Sequence, residues 1–303
     1  MKSFKGKVAA ITGAASGMGR TLAVQLAREG ASLSISDVDT KGLTETVKLA
    51  KSAADEAGHD IKITSQELDV SSRADMYAWA DKTAKDHGKV NLIFNNAGVA
   101  YATPIEDIDY DKFDWIMGIN FWGVVYGTKA FLPYLKASGE GHIINTSSLF
   151  GLCAQPTQST YNATKFAVRG FTESLRQELD FMNCGVSATS VHPGGIKTAI
   201  ARKSVASPAI EKFTGTDAES GKAFFEKFFI TSAEKAADII LKAVKGNKRR
   251  VLVGPDAVAM DAMVRALPES YQAIIVGQMK KMRDKQLARK KKNTAAAKET
   301  QKA

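Results

Sequence analysis

Cysteine, proline and long apolar runs are scarce in this chain. Only two cysteines, Cys153 and Cys184, occur in 303 residues. Two cannot build a disulfide framework, and neither sits at a metal-ligand spacing, so no metal is expected. Both read as buried apolar residues of a cytoplasmic protein. No stretch approaches the roughly 18 consecutive apolar residues that a membrane-spanning helix needs. The opening MKSFKGKVAAITG has only a brief apolar run before its glycines, which is not a secretory leader. There is no proline- or glycine-rich linker and no internal repeat. The expected organisation is therefore one domain over residues 1–256 and a basic C-terminal extension over 257–303, partly disordered at its end. An excess of positive charge is also scarce outside that tail. The net charge is +10, but residues 280–303 carry ten Lys/Arg against two Asp/Glu, leaving the rest near +2. A nearly neutral body does not read as a nucleic-acid-binding domain.

What is present is an alternation of short apolar runs with amphipathic stretches. Val8–Ile11 reads as a buried parallel strand, followed by a helix with Leu22, Val24, Leu26 and Ala27 that stops near Gly30. A second strand at 31–36, a helix at 41–58, and a third strand through Ile61–Ile63 toward Leu68 continue the pattern. A helix near 73–87 and a fourth strand at Val90–Phe94 follow. This predicts a doubly wound parallel α/β sheet of Rossmann type, with ligands at the strands' C-terminal ends.

The candidate site residues fall at those ends. Gly13, Ser16, Gly17, Met18 and Gly19 form a turn between strand and helix. Glycines there let the backbone approach a pyrophosphate, and the helix's first N–H groups face the anion. Asp37 ends the second strand about 20 residues on, where a carboxylate accepts from an adenosine ribose and repels a 2′-phosphate. No Lys or Arg directly precedes Gly17 or follows Asp37, so NAD is preferred over NADP. Asp69, before Val70, either accepts from an adenine amino group or caps the helix beginning near Ser72. Asn95, Asn96, Ala97 and Gly98 suit close cofactor contact, and equally a plain turn.

Tyr161 and Lys165 are four residues apart, on one face of a helix read over Ser159–Leu179. An ammonium beside a phenol favours the phenolate and moves its pKa toward the working range. Ser148, after the strand-like His142–Ile144, offers a hydroxyl to the same substrate oxygen.

Taken together, Thr12-Gly-x-x-x-Gly-x-Gly19, Asp69-Val70, Asn95-Asn96-Ala97-Gly98, Asn120, Ser148, Tyr161-x-x-x-Lys165 and Pro193-Gly194 resemble the short-chain dehydrogenase/reductase family, in its single-domain branch, over about residues 5–255. The resemblance implies that Tyr161 is the general acid/base, that Lys165 bonds the nicotinamide ribose and lowers the tyrosine's pKa, and that Ser148 orients the substrate oxygen. It implies that Asn120 holds a water joining Lys165 to a proton relay. Asn96 and Gly98 would contact the adenosine side; Pro193, Gly194, Ile196 and Thr198 would close over the nicotinamide. It also implies a homodimer or homotetramer using the Tyr161 helix, and a substrate lid at about 197–231.

That lid holds Ala199, Ile200, Val205 and Ile210 with Phe213, Phe224, Phe225, Phe228 and Phe229, which read either as a greasy pocket or as core. Leu149, Phe150, Leu152 and Cys153 point the same way, and no arginine pair marks a dicarboxylate or phosphate substrate. The expected substrate is a secondary alcohol or ketone on a hydrophobic skeleton: steroid, terpenoid or long-chain aliphatic. A helix at Ser232–Val244 and a strand at Arg249–Gly254 complete the family core. In the extension, apolar segments around Pro268 precede Arg289–Lys292. Packing on the body or on a partner subunit, followed by a solvated end, is the preferred reading; peripheral contact with an anionic membrane is the alternative.

Overall fold

The strands of the computed structural model are β1 (Val8–Thr12), β2 (Ser32–Asp37), β3 (Ile63–Glu67), β4 (Leu92–Asn95), β5 (Tyr101–Ala102), β6 (Gly141–Thr146), β7 (Val186–Pro193), β8 (Val205–Ala206) and β9 (Arg250–Val253). The helices are α1 (Gly17–Arg28), α2 (Thr40–Glu56), α3 (Arg73–His87), α4 (Tyr110–Met117), α5 (Gly123–Ala137), α6 (Ser159–Met182), α7 (Ala209–Thr214), α8 (Ala218–Glu226), α9 (Ala233–Lys245), α10 (Pro255–Ala266) and α11 (Ser270–Thr300). The structure describes residues 1–198, 200, 202–226 and 229–300, without the side chains of 218, 222, 224, 225 and 289–300. Ala199, Phe224, Phe225, Phe228 and the Arg289–Lys292 cluster thus lie outside the described side chains.

Seven strands form a parallel sheet in the order β3-β2-β1-β4-β6-β7-β9. Both faces are covered, so inner strands read as unbroken apolar runs, and β1 and β4 are buried throughout. The period-two alternation then sorts neighbours into two cores. Ile11, Leu33, Phe94 and Ile144 face the layer of α1, α2 and α9; Ala10, Ile93 and Ile143 face that of α3, α5 and α6. In the second layer Trp79 of α3 meets Phe131 of α5 edge to face, with centroids 5.0 Å apart. Such a pair is worth about 0.5–1.5 kcal/mol beyond burial. Trp79 Nε1 also donates to Ser34 Oγ on β2 at 3.0 Å, so its one polar atom is satisfied.

The strand order reverses between β1 and β4, which opens a crevice at their C-terminal ends. β5 and β8 form a separate parallel pair that ties the segment after β4 to the lid region. Between α4 and α5 the helix passes through a π turn, Gly118–Trp122. Cys153 is buried as expected, whereas Cys184 is only half-buried at the edge of the second core.

Candidate active site

The turn after β1 is built for close approach. Gly13 has φ +66, and a Cβ there would lie 2.7 Å from Ala97 Cα; one on Gly19 would lie 2.1 Å from Gly13 O. Asn96 locks this turn to the end of β4, its Nδ2 donating to Thr12 O at 3.1 Å and to Gly13 O at 3.3 Å. The N–H groups of Asn96 and Ala97 both donate to Thr12 Oγ1, at 3.0 and 3.1 Å. Ser16 stands at the N-cap of α1 without a side-chain capping bond, so it leaves the first-turn N–H groups of Gly17, Met18 and Gly19 to an anion. Thr198 closes the opposite side, its Cγ2 lying 3.1 Å from where a Gly17 Cβ would stand.

Asp37 accepts from Ala15 N at 2.9 Å through Oδ2 and from Asp39 N at 3.1 Å through Oδ1. Each oxygen retains a lone pair for a ribose hydroxyl. The nearby Arg20 guanidinium is spent on Ala15 O, Gly42 O and Thr46 Oγ1. Asp69 does not cap α3: Ser72 does, accepting from Asp75 N at 3.4 Å. Asp69 instead accepts from Ser71 N and Oγ at 2.9 and 2.7 Å. The Val70 side chain is core beneath Gly123, which leaves only its backbone for a ligand. This set fits a dinucleotide: a cradle with no room for side chains, free helix N–H groups and a ribose-facing carboxylate.

At the next strand end, Lys165 is buried on α6, donating from Nζ to Thr146 O at 3.0 Å. Its Nζ lies 5.7 Å from the centre of the Tyr161 ring. Gly98 abuts the same spot; its Cβ would be 3.3 Å from Asn120 Oδ1 and 3.5 Å from Lys165 Nζ. Ser148 has extended backbone, accepts from Phe150 N at 3.0 Å and lies beside Tyr161. Neighbouring Ser147 is excluded from such a role, because its hydroxyl is turned to Lys165 O at 2.8 Å. The cluster of Asn120, Ser148, Tyr161 and Lys165 is thus brought together.

Its electrostatics differ from the sequence expectation in one respect. Burial pushes the Tyr161 phenol up, with the Ser148 hydroxyl opposing, and pushes Lys165 down from 10.5 to about 8. Taking both groups out of water outweighs their mutual help, since each charged form loses solvation. In the chain by itself the phenol is therefore held protonated rather than poised as phenolate.

Asn120 is buried in the π turn and clamps the end of the β4 loop. Its Oδ1 accepts from Val99 N at 2.8 Å, and its Nδ2 donates to Val99 O at 2.9 Å and to Thr164 Oγ1 at 3.2 Å. One residue escaped the sequence reading. His192, just before Pro193-Gly194, donates from Nδ1 to Ser148 O at 3.0 Å, so its Nε2 accepts from Ser190 Oγ at 2.9 Å. Burial lowers its pKa to about 4 and keeps the ring neutral. A lone histidine beside the Pro-Gly pair was the available signal. Beyond it, Gly195 N donates to Asp256 at the start of α10, and Ile196 bridges to Thr231.

Residues 7–209 match the family model described as short chain dehydrogenase. The Mycobacterium tuberculosis protein named "Putative oxidoreductase SadH" is 46% identical over 276 residues, 91% of this chain and 96% of that protein. A short chain dehydrogenase/reductase from Burkholderia phymatum, solved in complex with NAD, superposes with a TM-score of 0.79 at 30% identity, covering 90% of this chain and 96% of that one. A short chain dehydrogenase from Burkholderia cenocepacia, solved with NADP, shares the fold at TM-score 0.70 and 24% identity, over 90% and 98% of the two chains.

Proposed function

Because this chain belongs to the short-chain dehydrogenase/reductase family and is an oxidoreductase of that kind, we propose that it interconverts a secondary alcohol and a ketone on a hydrophobic skeleton, with NAD as the preferred cofactor. When bound, the nicotinamide would supply the hydride chemistry, as acceptor in oxidation and donor in reduction. Tyr161 takes the hydroxyl proton in oxidation and donates a proton to the carbonyl oxygen in reduction. Ser148 donates to the same oxygen and fixes its position. Lys165 places a positive charge behind the phenol, favouring the phenolate as the proton leaves. Asn120 holds the Val99 segment beside Lys165, where a water would continue the proton path. The turn at Gly13–Gly19 would hold the pyrophosphate and Asp37 the adenosine ribose, while Asn96, Gly98, Pro193, Gly194, Ile196 and Thr198 would frame the rest. Asp69 and the Val70 backbone border the adenine.

The observation that carries this reading is the half-buried Tyr161 paired with the buried Lys165 beside Ser148, one strand end away from the glycine cradle. The NAD preference rests on Asp37, with Arg20 bound to carbonyls instead of facing a 2′-phosphate. A turnover screen over hydrophobic and small polar alcohols and ketones with NAD(H) and NADP(H) tests both parts. NADH formation from steroid, terpenoid or long-chain alcohols supports it; turnover confined to small polyols overturns the substrate class, and faster turnover with NADP overturns the cofactor. We further propose a homodimer or homotetramer. Trp115, Trp122 and Phe166 stand 36%, 46% and 40% exposed on the α4–α5 and α6 surfaces, an apolar patch suited to a second copy. Light scattering of a monomer would refute it.

A further inference from the structure

The C-terminal helices α10 and α11 are tied to the site from three directions. Asp256, in the first turn of α10, accepts from Gly195 N in the loop expected to cover the nicotinamide. Tyr271, in the first turn of α11 and 5% exposed, accepts through its hydroxyl from Ala154 N at 3.2 Å, in the loop that follows Ser148. Farther along α11, Arg283 Cγ and Leu287 Cδ2 lie 3.4 Å from where a Cβ of Gly215 would stand, at the end of lid helix α7. Between these ties is a third apolar cluster, with Cys153, Tyr271 and Ile275 at its buried centre. Leu149, Phe150, Met260, Met263 and Met279 pack on it and remain only partly covered. Leu149 and Phe150 directly follow Ser148, and the Phe150 ring meets Tyr161 edge to face with centroids 6.1 Å apart. An incompletely covered apolar surface therefore begins at the side chains expected to grip the substrate oxygen and runs onto the extension.

We propose that α10 and α11 form a wall of the substrate site, and that Met260, Met263 and Met279, with Leu149 and Phe150, hold the apolar skeleton whose oxygen meets Tyr161. This rests on the alcohol–ketone reading above and assigns part of its specificity to the extension. The occupant follows from continuity: a molecule with its oxygen at Tyr161 and Ser148 has its carbon frame beside Phe150. Thioethers are unbranched and polarisable, so three of them make a wall that adapts to frames of different shape. The extension is then a determinant of substrate size, whereas the cofactor cradle lies on β1 and β4 and does not use it.

The test compares the full chain with Met260→Gln, Met263→Gln and Tyr271→Phe, using a ketosteroid as the bulky probe and cyclohexanone as the small one. The glutamine variants should raise KM for the ketosteroid about tenfold, leave kcat/KM for cyclohexanone within twofold, and leave the NADH dissociation constant unchanged. Tyr271→Phe keeps the ring but removes the acceptor for Ala154 N, and should raise the ketosteroid KM several-fold. Equal loss on both ketones would show a purely structural role, and no change on either would show that the wall touches no substrate; each overturns the proposal. Turnover of neither ketone by the unmodified chain, with either nicotinamide, would instead strike the functional reading on which it rests.

Discussion

Replacing Lys165 with methionine removes an ammonium that the fold holds away from water. Its pKa is about 8 in the folded chain, against an ordinary 10.5. The sign follows from which state binds the proton more readily. Below pH 8 both folded and unfolded chains carry it, and the folded state bears the full cost. Between about 8 and 10.5 the folded chain sheds the proton while the unfolded chain keeps it, so stability rises with pH through that window. At about 1.36 kcal/mol per pH unit, the cost at pH 7 is about 3 kcal/mol. At pH 9 it is about 2 kcal/mol, so about 1 kcal/mol is recovered between the two. For a domain of this size that is a Tm change of about 2–4 °C. The assay is thermal melting of the unmodified chain and Lys165→Met across pH 7–9. The unmodified chain should gain those degrees relative to the variant. The bond lost at Thr146 O shifts the variant by a similar amount at every pH and drops out of the comparison. A difference that stays flat from pH 7 to 9 would mean that the folded chain keeps this proton throughout, and would refute the claim that burial lowers the Lys165 pKa to about 8.

Three further outcomes are expected. Tyr161→Phe should lower kcat by about 10²–10⁴ while NADH binding, followed by fluorescence, is unchanged; retention of full activity would remove Tyr161 as proton carrier. His192→Phe leaves Ser148 O without its donor, which costs about 1–3 kcal/mol in chemical denaturation, and should lower kcat about tenfold. His192→Asn, able to donate from its amide, should restore part of both, and equal losses in the two variants would show that the bond is not what matters. Asp37→Ala should narrow the preference for NAD over NADP at least tenfold; an unchanged ratio of kcat/KM values would show that Asp37 does not read the ribose.

Much of this architecture was legible because it depends on local pattern. β1, β2 and β4 stand out as apolar runs because both sheet faces are covered, and the helices between them carry one apolar stripe each. β3 was harder: an edge strand with half-exposed residues, it spans Ile63–Glu67 instead of starting at Ile61. The pair β5–β8 has two residues per strand, too few for any periodicity, and is fixed by residues about a hundred positions apart. The π turn at Gly118–Trp122 has no composition of its own. Of the site, the residue types and spacings at Ser148, Tyr161 and Lys165 were readable. The balance of their charges was not, since desolvation depends on what packs around them. His192 was missed because its partner is a backbone carbonyl 44 residues away. The lid remained ambiguous for a similar reason: Phe213 is 48% exposed while Phe229 is half-buried, a division that side-chain type does not announce.

The π turn has a genetic corollary. It gives the segment joining α4 to α5 one residue more than ordinary helical winding requires. Deleting a single codon there would let the backbone settle into a regular coil with the flanking helices still in register, but would abolish the wider turn that now sets the direction of Asn120. Asn120 would lose its grip on both polar atoms of Val99, and no core residue need be removed. Inactive descendants of such a gene can therefore keep every recognisable motif in sequence and differ only by a length change of one.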